Sequence, residues 1–508
     1  MSLISITGNR FRSTSPTFER LVDQTSGGLL DARAIRHDSR LSDWSYPPLT
    51  MSATTMPIVA PPIESIVISD VTIVGGGASG TYAAIRLTQA GKTVTLVEQQ
   101  DRLGGHVSTH RVSTGETIDY GVISYEDTTV VQNFFRHVGV PLTTRATAKN
   151  FRNTTVHANL QSDGRVVTLD DSIPWARKLR MFEALKAFRT QVALYPFLDN
   201  GLQLPSTIPS DLLLPFGDFV RKYSLEPMLE FVFIWMGGLP RILQQITLYI
   251  MKSLSLRTVD ALIGSGPAHL TTARENNQEL YDKSLEKLSG SVFLQSTVEF
   301  VSRDEEGVNV VASTPSGRVY IKSKKLVLAI PPLTATYERL GMDLTSQEKE
   351  SFGCFTHGFY RVMLIRDSGL PDDHSFTTVD AIEPTAHPGL FYVAATGISG
   401  YHIAYHSSAC RLSDESVKTE TLEGISRVAR ANGYFSDHTA EIVAFRDHSP
   451  YLLGVSAELI QDGFYERLNS LQGQMNTYWT GAAWQAQDSS LIWDWTEKSL
   501  LPRIIASL

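Results

Sequence analysis

Gly75, Gly77 and Gly80 stand at the spacing G-x-G-x-x-G, and an acid, Glu98, follows about twenty residues on. That set can hold a dinucleotide. Gly75 permits a sharp turn, Gly77 lets a phosphate approach backbone that any side chain would shield, and Gly80 lets a helix pack close on a sheet. The N–H groups of Ala78 and Ser79 lie at the start of that helix, where the helix dipole attracts a pyrophosphate. Glu98 is placed to bind ribose hydroxyls. The elements that must position these residues are legible too. Val71-Thr-Ile-Val74 reads as a buried parallel strand, a helix runs through Ala84 and Leu87 to Gly91, and Val94-Thr-Leu-Val97 is a second strand ending at the acid. This context separates the stretch from a glycine-rich turn in an ordinary α/β domain.

Directly after Glu98 comes Asp101-Arg102-Leu103-Gly104-Gly105-His106. Two adjacent glycines with a flanking arginine make a second close backbone approach to a diphosphate, which a plain NAD site does not require. The segment resembles the RxGGR motif of the flavin-containing amine oxidoreductase superfamily. Within it, Ile118-Asp-Tyr-Gly-Val122, Asp462-Gly-Phe-Tyr465, Leu471-Gln-Gly473 and Asn476-Thr-Tyr-Trp-Thr-Gly481 resemble the fungal β-cyclopiazonate dehydrogenase-type flavoenzymes. Matching segments run from about residue 70 to the C-terminus.

The resemblance implies FAD and an α/β fold of two domains, a Rossmann-like FAD domain and a mixed sheet/helical substrate domain. It implies that Tyr120 and Gly121 lie where backbone passes the flavin ring, and that Val298 holds the adenine through its backbone. It also implies that the strand ending in Ile330-Pro-Pro332 and the one ending at Gly481 lie near the cofactor. The start of a last helix, Ser489–Leu508, should point at the pyrimidine end of the flavin. The chain departs from amine oxidases at three places: Tyr337 replaces a lysine, Ala483 replaces a glutamate, and Leu491 replaces a cage tyrosine. These departures weigh against a simple amine oxidase. His106 replaces the second arginine of RxGGR. It reads either as a flavin contact, up to a covalent 8α attachment, or as a hydrogen-bonding substitute for arginine.

The chain has 508 residues, enough for two or three domain-sized units, and its 42% hydrophobic and 19% charged composition is that of a globular protein. A net charge of -8 argues against a nucleic-acid surface. Cys354 and Cys410 cannot form a disulfide framework and suit a reducing compartment. The apolar run Phe231–Leu239 is stopped by Pro240 and Arg241, so no membrane span is expected, and the N-terminus shows no apolar h-region. A cytoplasmic protein is expected, with no metal site. Residues 1–66 are rich in Ser, Thr, Pro and Arg and read as a disordered extension. Met51 or Met56 is an alternative translation start, which peptides from residues 10–40 in the native protein would exclude.

The expected FAD-binding domain comprises 67–125, 287–335 and 470–508, and the substrate-binding domain 126–286 and 336–469. The second is rich in Phe, Trp and Met, which suits a large apolar substrate as well as it suits ordinary core packing. His357, Tyr360 and Trp484 are candidate catalytic residues, with His402 and His406 as further candidate substrate contacts; each is more readily a core or surface residue. The expected chemistry is hydride transfer from a substrate carbon to flavin N5, with reoxidation by O2. No second glycine motif in strand–helix context indicates an NAD(P)H site. The resemblance implies a small-molecule substrate from fungal secondary metabolism, with oxidative cyclisation as one outcome. Three alternatives stay open: a flavin-dependent isomerase or desaturase of an apolar chain, an amine oxidase, and a non-catalytic FAD-binding protein.

Overall fold

Strand β1 (Ile63–Val74) runs parallel between β2 (Val94–Val97) and the strand Gly317–Leu328, in a computed structural model that describes residues 63–145, 154–167, 174–378, 389–434 and 439–508. Val71, Thr72 and Ile73 are fully buried because helices or loops cover both faces of the sheet at this depth. β1 begins at Ile63, inside the expected extension, because Ile63 to Ser69 pair with Arg318 to Ser323. The rest of that extension, with Met51 and Met56, lies outside the described residues.

The first sheet has the order Val292–Phe293, β2, β1, Gly317–Leu328, Val308–Thr314, Thr297–Arg303. Gly317–Leu328 serves two partners. Its first half pairs antiparallel with Val308–Thr314, and Leu326–Leu328 pair parallel with Thr477–Trp479. Three distant stretches of chain therefore build one sheet. Helix α1 (Ala78–Gln89) buries Tyr82, Ala83, Ala84, Ile85 and Leu87 and packs on β1 and β2. Helices α2 (Thr129–Val138) and Gln278–Lys287 pack on each other. The first also meets the closing helix Ser489–Trp495, and the second meets α1.

The second sheet has the order Glu441–Asp447, Thr356–Arg366, Tyr401–Ser408, Gly389–Ala395, His374–Thr378, Thr154–Ala158, with Tyr451–Gly454 on Thr356–Arg366. Alternation along the strands gives it two apolar faces. Met363, Ile365 and Ala404 meet Val417, Ile425 and Val428 of helix Asp414–Ala431, whereas Val362, Leu364 and Ile403 meet Ile118 and Tyr120.

The apolar block Met228–Met251 and the expected last helix are both broken. The apolar block Met228–Met251 is not continuous: it forms Leu229–Trp235 and Thr247–Ser253, separated at Gly237 and Gly238 (φ 67° and 64°), where Phe391 packs directly on the Gly238 backbone. The last helix is interrupted by a π-turn at Thr496–Leu500 before Leu501–Ala506. Pro502 has no N–H with which to continue the α-helical ladder there. Among the described residues no helix is long and apolar enough to cross a membrane.

Candidate functional site

The site is built where β1 ends. Gly75 has φ 99°, and a Cβ there would lie 2.7 Å from Ile330 Cγ2. A Cβ on Gly80 would lie 1.9 Å from Gly75 O, so only glycine lets α1 close against the turn. Gly77 differs: the nearest atom to its Cβ position is Gly105 Cα at 3.8 Å, so the space before the helix start is open. The carboxylate of Glu98, buried at the end of β2, accepts from Gly76 N at 2.6 Å and from Gln100 N at 2.8 Å. The acid therefore braces the glycine turn as well as lying where ribose hydroxyls are expected.

The second glycine turn interlocks with the first. Gly104 N donates to Gly76 O at 2.8 Å, and Gly104 and Gly105 both have positive φ (119° and 55°). The Arg102 guanidinium turns inward, donating to Gln278 Oε1 (2.7 Å), Ser108 Oγ (3.1 Å) and Gly105 O (3.4 Å). It holds the turn in shape. Gly121 packs against this turn so closely that a Cβ would lie 2.0 Å from His106 O. Neighbouring Tyr120 is buried with Val112, Ile118 and Val362. Gln295 N and Ser296 N donate to Gln100 O and Glu98 O, which brings the start of the Val298 strand beside Glu98.

The closing segment completes the ring. Gly481 (φ 123°) would present a Cβ to Ser79 Oγ at 3.8 Å. Trp493 Nε1 donates to Ala78 O at 2.9 Å, tying the closing helix to the start of α1. Asp488 caps that helix by accepting from Leu491 N at 3.0 Å, and burial together with the charge of Glu126 raises its pKa to about 6. Two glycine turns, an open approach at Gly77 and a bracing acid fit the diphosphate and ribose of FAD.

The His106 ring stacks on His448 with centroids 4.4 Å apart and 15° between planes, and Gln487 Nε2 lies 3.3 Å from His106 Nδ1. Burial lowers the His106 pKa to about 4, against the opposing charge of Asp447. His448 is lowered too, by burial first and then by the charge of His106. Tyr360 lies 5.7 Å from His448, 4.6 Å from Tyr451 and 6.2 Å from Tyr405, ring to ring. Burial raises all three phenols, so this wall of aromatic rings is uncharged at neutral pH. A cavity of about 490 Å³ is lined by Met236, Leu239, Tyr249, Lys252, Leu452 and Gln487 among others. It comes nearest the wall at Met236 and Leu452, chain neighbours of Gly237, on which Tyr360 and Tyr451 pack, and of Tyr451.

The candidate residues separate by geometry. Tyr360 belongs to the aromatic wall. His357 lies edge-on to Phe359, with Nδ1 3.0 Å from Gly358 O. Trp484 is core, stacked on Trp479 at 6.4 Å. His402 bonds Ser368 Oγ and Pro371 O, and His406 lies 3.2 Å from Glu420, so both take the side of the sheet away from Tyr405. Sequence reasoning missed Tyr405, His448, Tyr451, Lys252 and Gln487. The one available signal was alternation. Tyr405 has the opposite parity to His402 and His406 on the same strand, and which parity shares a face with Tyr360 is set by the pairing of the two strands. Tyr337 is buried against Phe352, Ala483 and Leu491 are buried, and among the described residues no group of three His, Cys, Asp or Glu could hold a metal ion.

A family profile described as an NAD(P)-binding Rossmann-like domain matches residues 73–138. The chain is 33% identical over 465 residues to FAD-dependent oxidoreductase oblC of Cochliobolus heterostrophus, covering 88% of this chain and 93% of that protein. It is 33% identical over 436 residues to beta-cyclopiazonate dehydrogenase of Aspergillus oryzae, covering 85% and 92%. Among solved structures, a CLA-producing fatty acid isomerase from P. acnes superposes with a TM-score of 0.67 at 18% identity, covering 85% of this chain and 99% of that one. Wild-type putrescine oxidase bound to putrescine superposes with a TM-score of 0.60 at 18% identity, covering 87% and 100%. These two likenesses show the fold.

Proposed function

The chain belongs to the family of FAD-dependent oxidoreductases that includes beta-cyclopiazonate dehydrogenase, and on that premise we propose that it oxidises a large, mostly apolar small molecule of fungal secondary metabolism, with O2 as the final acceptor. The observation that carries this is the cavity of about 490 Å³, which reaches Ala482 and Gln487 beside His106 and the glycine turns. When bound, FAD supplies the hydride acceptor, N5, and returns the electrons to O2.

The chain's own residues bind, orient and exclude water. Gly77, Ala78, Ser79, Gly104 and Gly105 offer backbone to the diphosphate, with Glu98 at the ribose and Val298 at the adenine. Tyr360 and Tyr451 pack beside Gly237, next to the cavity residue Met236, and with Tyr405 form an aromatic wall without a charge. Oxidative cyclisation of the product belongs to the same reading.

Residues 67–125, 287–335 and 470–508 are the FAD-binding part in this account, and 126–286 with 336–469 the substrate part. The contacts of α2 and Gln278–Lys287 with α1 and the closing helix favour moving those two helices into the first part. The free cysteines Cys354 and Cys410 support a cytoplasmic location.

The test is a screen of apolar substrates against the purified holoprotein. Product formed with matching O2 uptake and peroxide supports oxidation. Product formed with O2 unchanged would replace it with a redox-neutral isomerisation.

A further inference from the structure

Lys252 is 3% exposed, on the helix Thr247–Ser253, and borders the cavity. Its ammonium donates to three oxygens: Leu198 O at 2.5 Å, Gly201 O at 3.2 Å and Gln485 Oε1. Gln485, 2% exposed, lies in the turn between the last strand and the closing helix. Its Nε2 donates in turn to Asp199 O at 3.3 Å and Leu491 O at 3.4 Å. The same turn is gripped a second time, by Leu202 N donating to Trp484 O at 2.9 Å. Gly201 makes the approach possible: a Cβ there would lie 2.6 Å from Trp495 Cδ1 and 2.7 Å from Trp484 O.

Burying an ammonium is costly, and an apolar side chain of similar length would avoid that cost. Burial lowers the Lys252 pKa to about 7, against the opposing charge of Asp199. All three protons of the ammonium go to acceptors in one turn of the chain and in one side chain of another, and among the described residues no carboxylate bonds the nitrogen. Such a group acts as a clamp. The clamped segment runs from Gly481, opposite Ser79, to Gln487, beside His106.

We infer that Lys252 is a positioning residue that, through Gln485, fixes the turn 481–488 against the cofactor cradle and so joins the wall of the substrate cavity to the cofactor site. The inference rests on the placement of FAD at the two glycine turns. A substrate pressing on Lys252 from the cavity meets the same side chain that holds the turn.

The test uses holoprotein variants Lys252→Met, Gln485→Leu and the double variant, with Gly77→Ala as a control on the cradle. The readouts are the FAD dissociation constant and the visible circular dichroism of bound flavin. Lys252→Met should weaken FAD by about tenfold, the factor carried by one lost charge-assisted hydrogen bond, and should change the dichroism. Gln485→Leu should do the same, and the double variant should be no weaker than either single one, because both break one link. Wild-type affinity and dichroism in Lys252→Met, with Gly77→Ala weakened, would overturn the inference alone. Wild-type affinity in Gly77→Ala would overturn the cradle and this inference with it. Should Lys252→Met fail to fold, unchanged affinity in Gln485→Leu would overturn the clamp.

Discussion

Gly77 and Gly105 face each other across the two glycine turns: a Cβ on Gly105 would lie 3.0 Å from Gly77 Cα, while a Cβ on Gly77 would find its nearest neighbour at 3.8 Å. One glycine is required by the protein itself, and the other by what the protein holds.

The two therefore separate stability from cofactor binding. Gly77→Ala should keep a melting temperature close to that of the wild type, since the new methyl meets only ordinary contact and Gly77 has φ -70°. It should weaken FAD by about tenfold or more by shielding the backbone from the diphosphate. Gly105→Val should also lose stability, by about 1–2 kcal/mol for the positive φ alone. Thermal melts with and without added FAD check both.

Glu98→Gln keeps the shape of the brace and removes its charge. The carboxylate accepts from Gly76 N and Gln100 N, and an amide offers only one oxygen for the two donors. A loss of about 1–3 kcal/mol of stability is expected from the unsatisfied N–H, together with weaker FAD binding, by urea unfolding and flavin titration.

How much of this was legible in the sequence follows from distance along the chain. The turn, α1, β2 and the bracing acid are contiguous from Val71 to Glu98, so spacing alone specified them. The aromatic wall is assembled from strands far apart in sequence, and its parity is set by pairing: Tyr360 with Ser407, and Tyr405 with Val362. His402 and His406 fall on the wrong side by one residue, a difference that no local pattern reveals. Lys252 ends an apolar helix and reads as a solvated cap. Its burial depends on the turn Pro196–Asn200 and on Gln485, both remote.

Arg303 and Glu348 form a bidentate pair at 2.7 and 2.8 Å with side chains only 2% and 1% exposed, joining the strand Thr297–Arg303 to the helix Ser346–Gly353. Arg303→Met leaves a buried carboxylate without its cation, with Thr345 N still donating to it, and should cost about 3–5 kcal/mol in chemical denaturation. The visible spectrum of bound flavin should not change, which distinguishes this loss from one at the cradle.

Asp119 carries a pH dependence. Burial raises its pKa from 3.8 to about 7, opposed by hydrogen bonds from Thr109 Oγ1 and Asn277 N. The folded value lies above the unfolded one, so the protonated acid is favoured in the native state. Its contribution to stability is fully present below pH 3.8 and is lost as pH rises through 7. Relative to Asp119→Asn, the wild type should lose stability between about pH 4 and 8 at up to about 1.4 kcal/mol per pH unit. Urea unfolding of both proteins at matched pH checks the sign, and a wild type that gains on the variant over this range would refute it.

The most direct measurement is the absorbance spectrum of the purified protein before and after acid precipitation. Flavin bands in the native protein are predicted, taken up on adding FAD if lost in purification. Their release to the supernatant would make His106 a non-covalent neighbour, and retention in the pellet would make it the first residue to test for attachment. A protein that carries no flavin and takes up none would contradict the account.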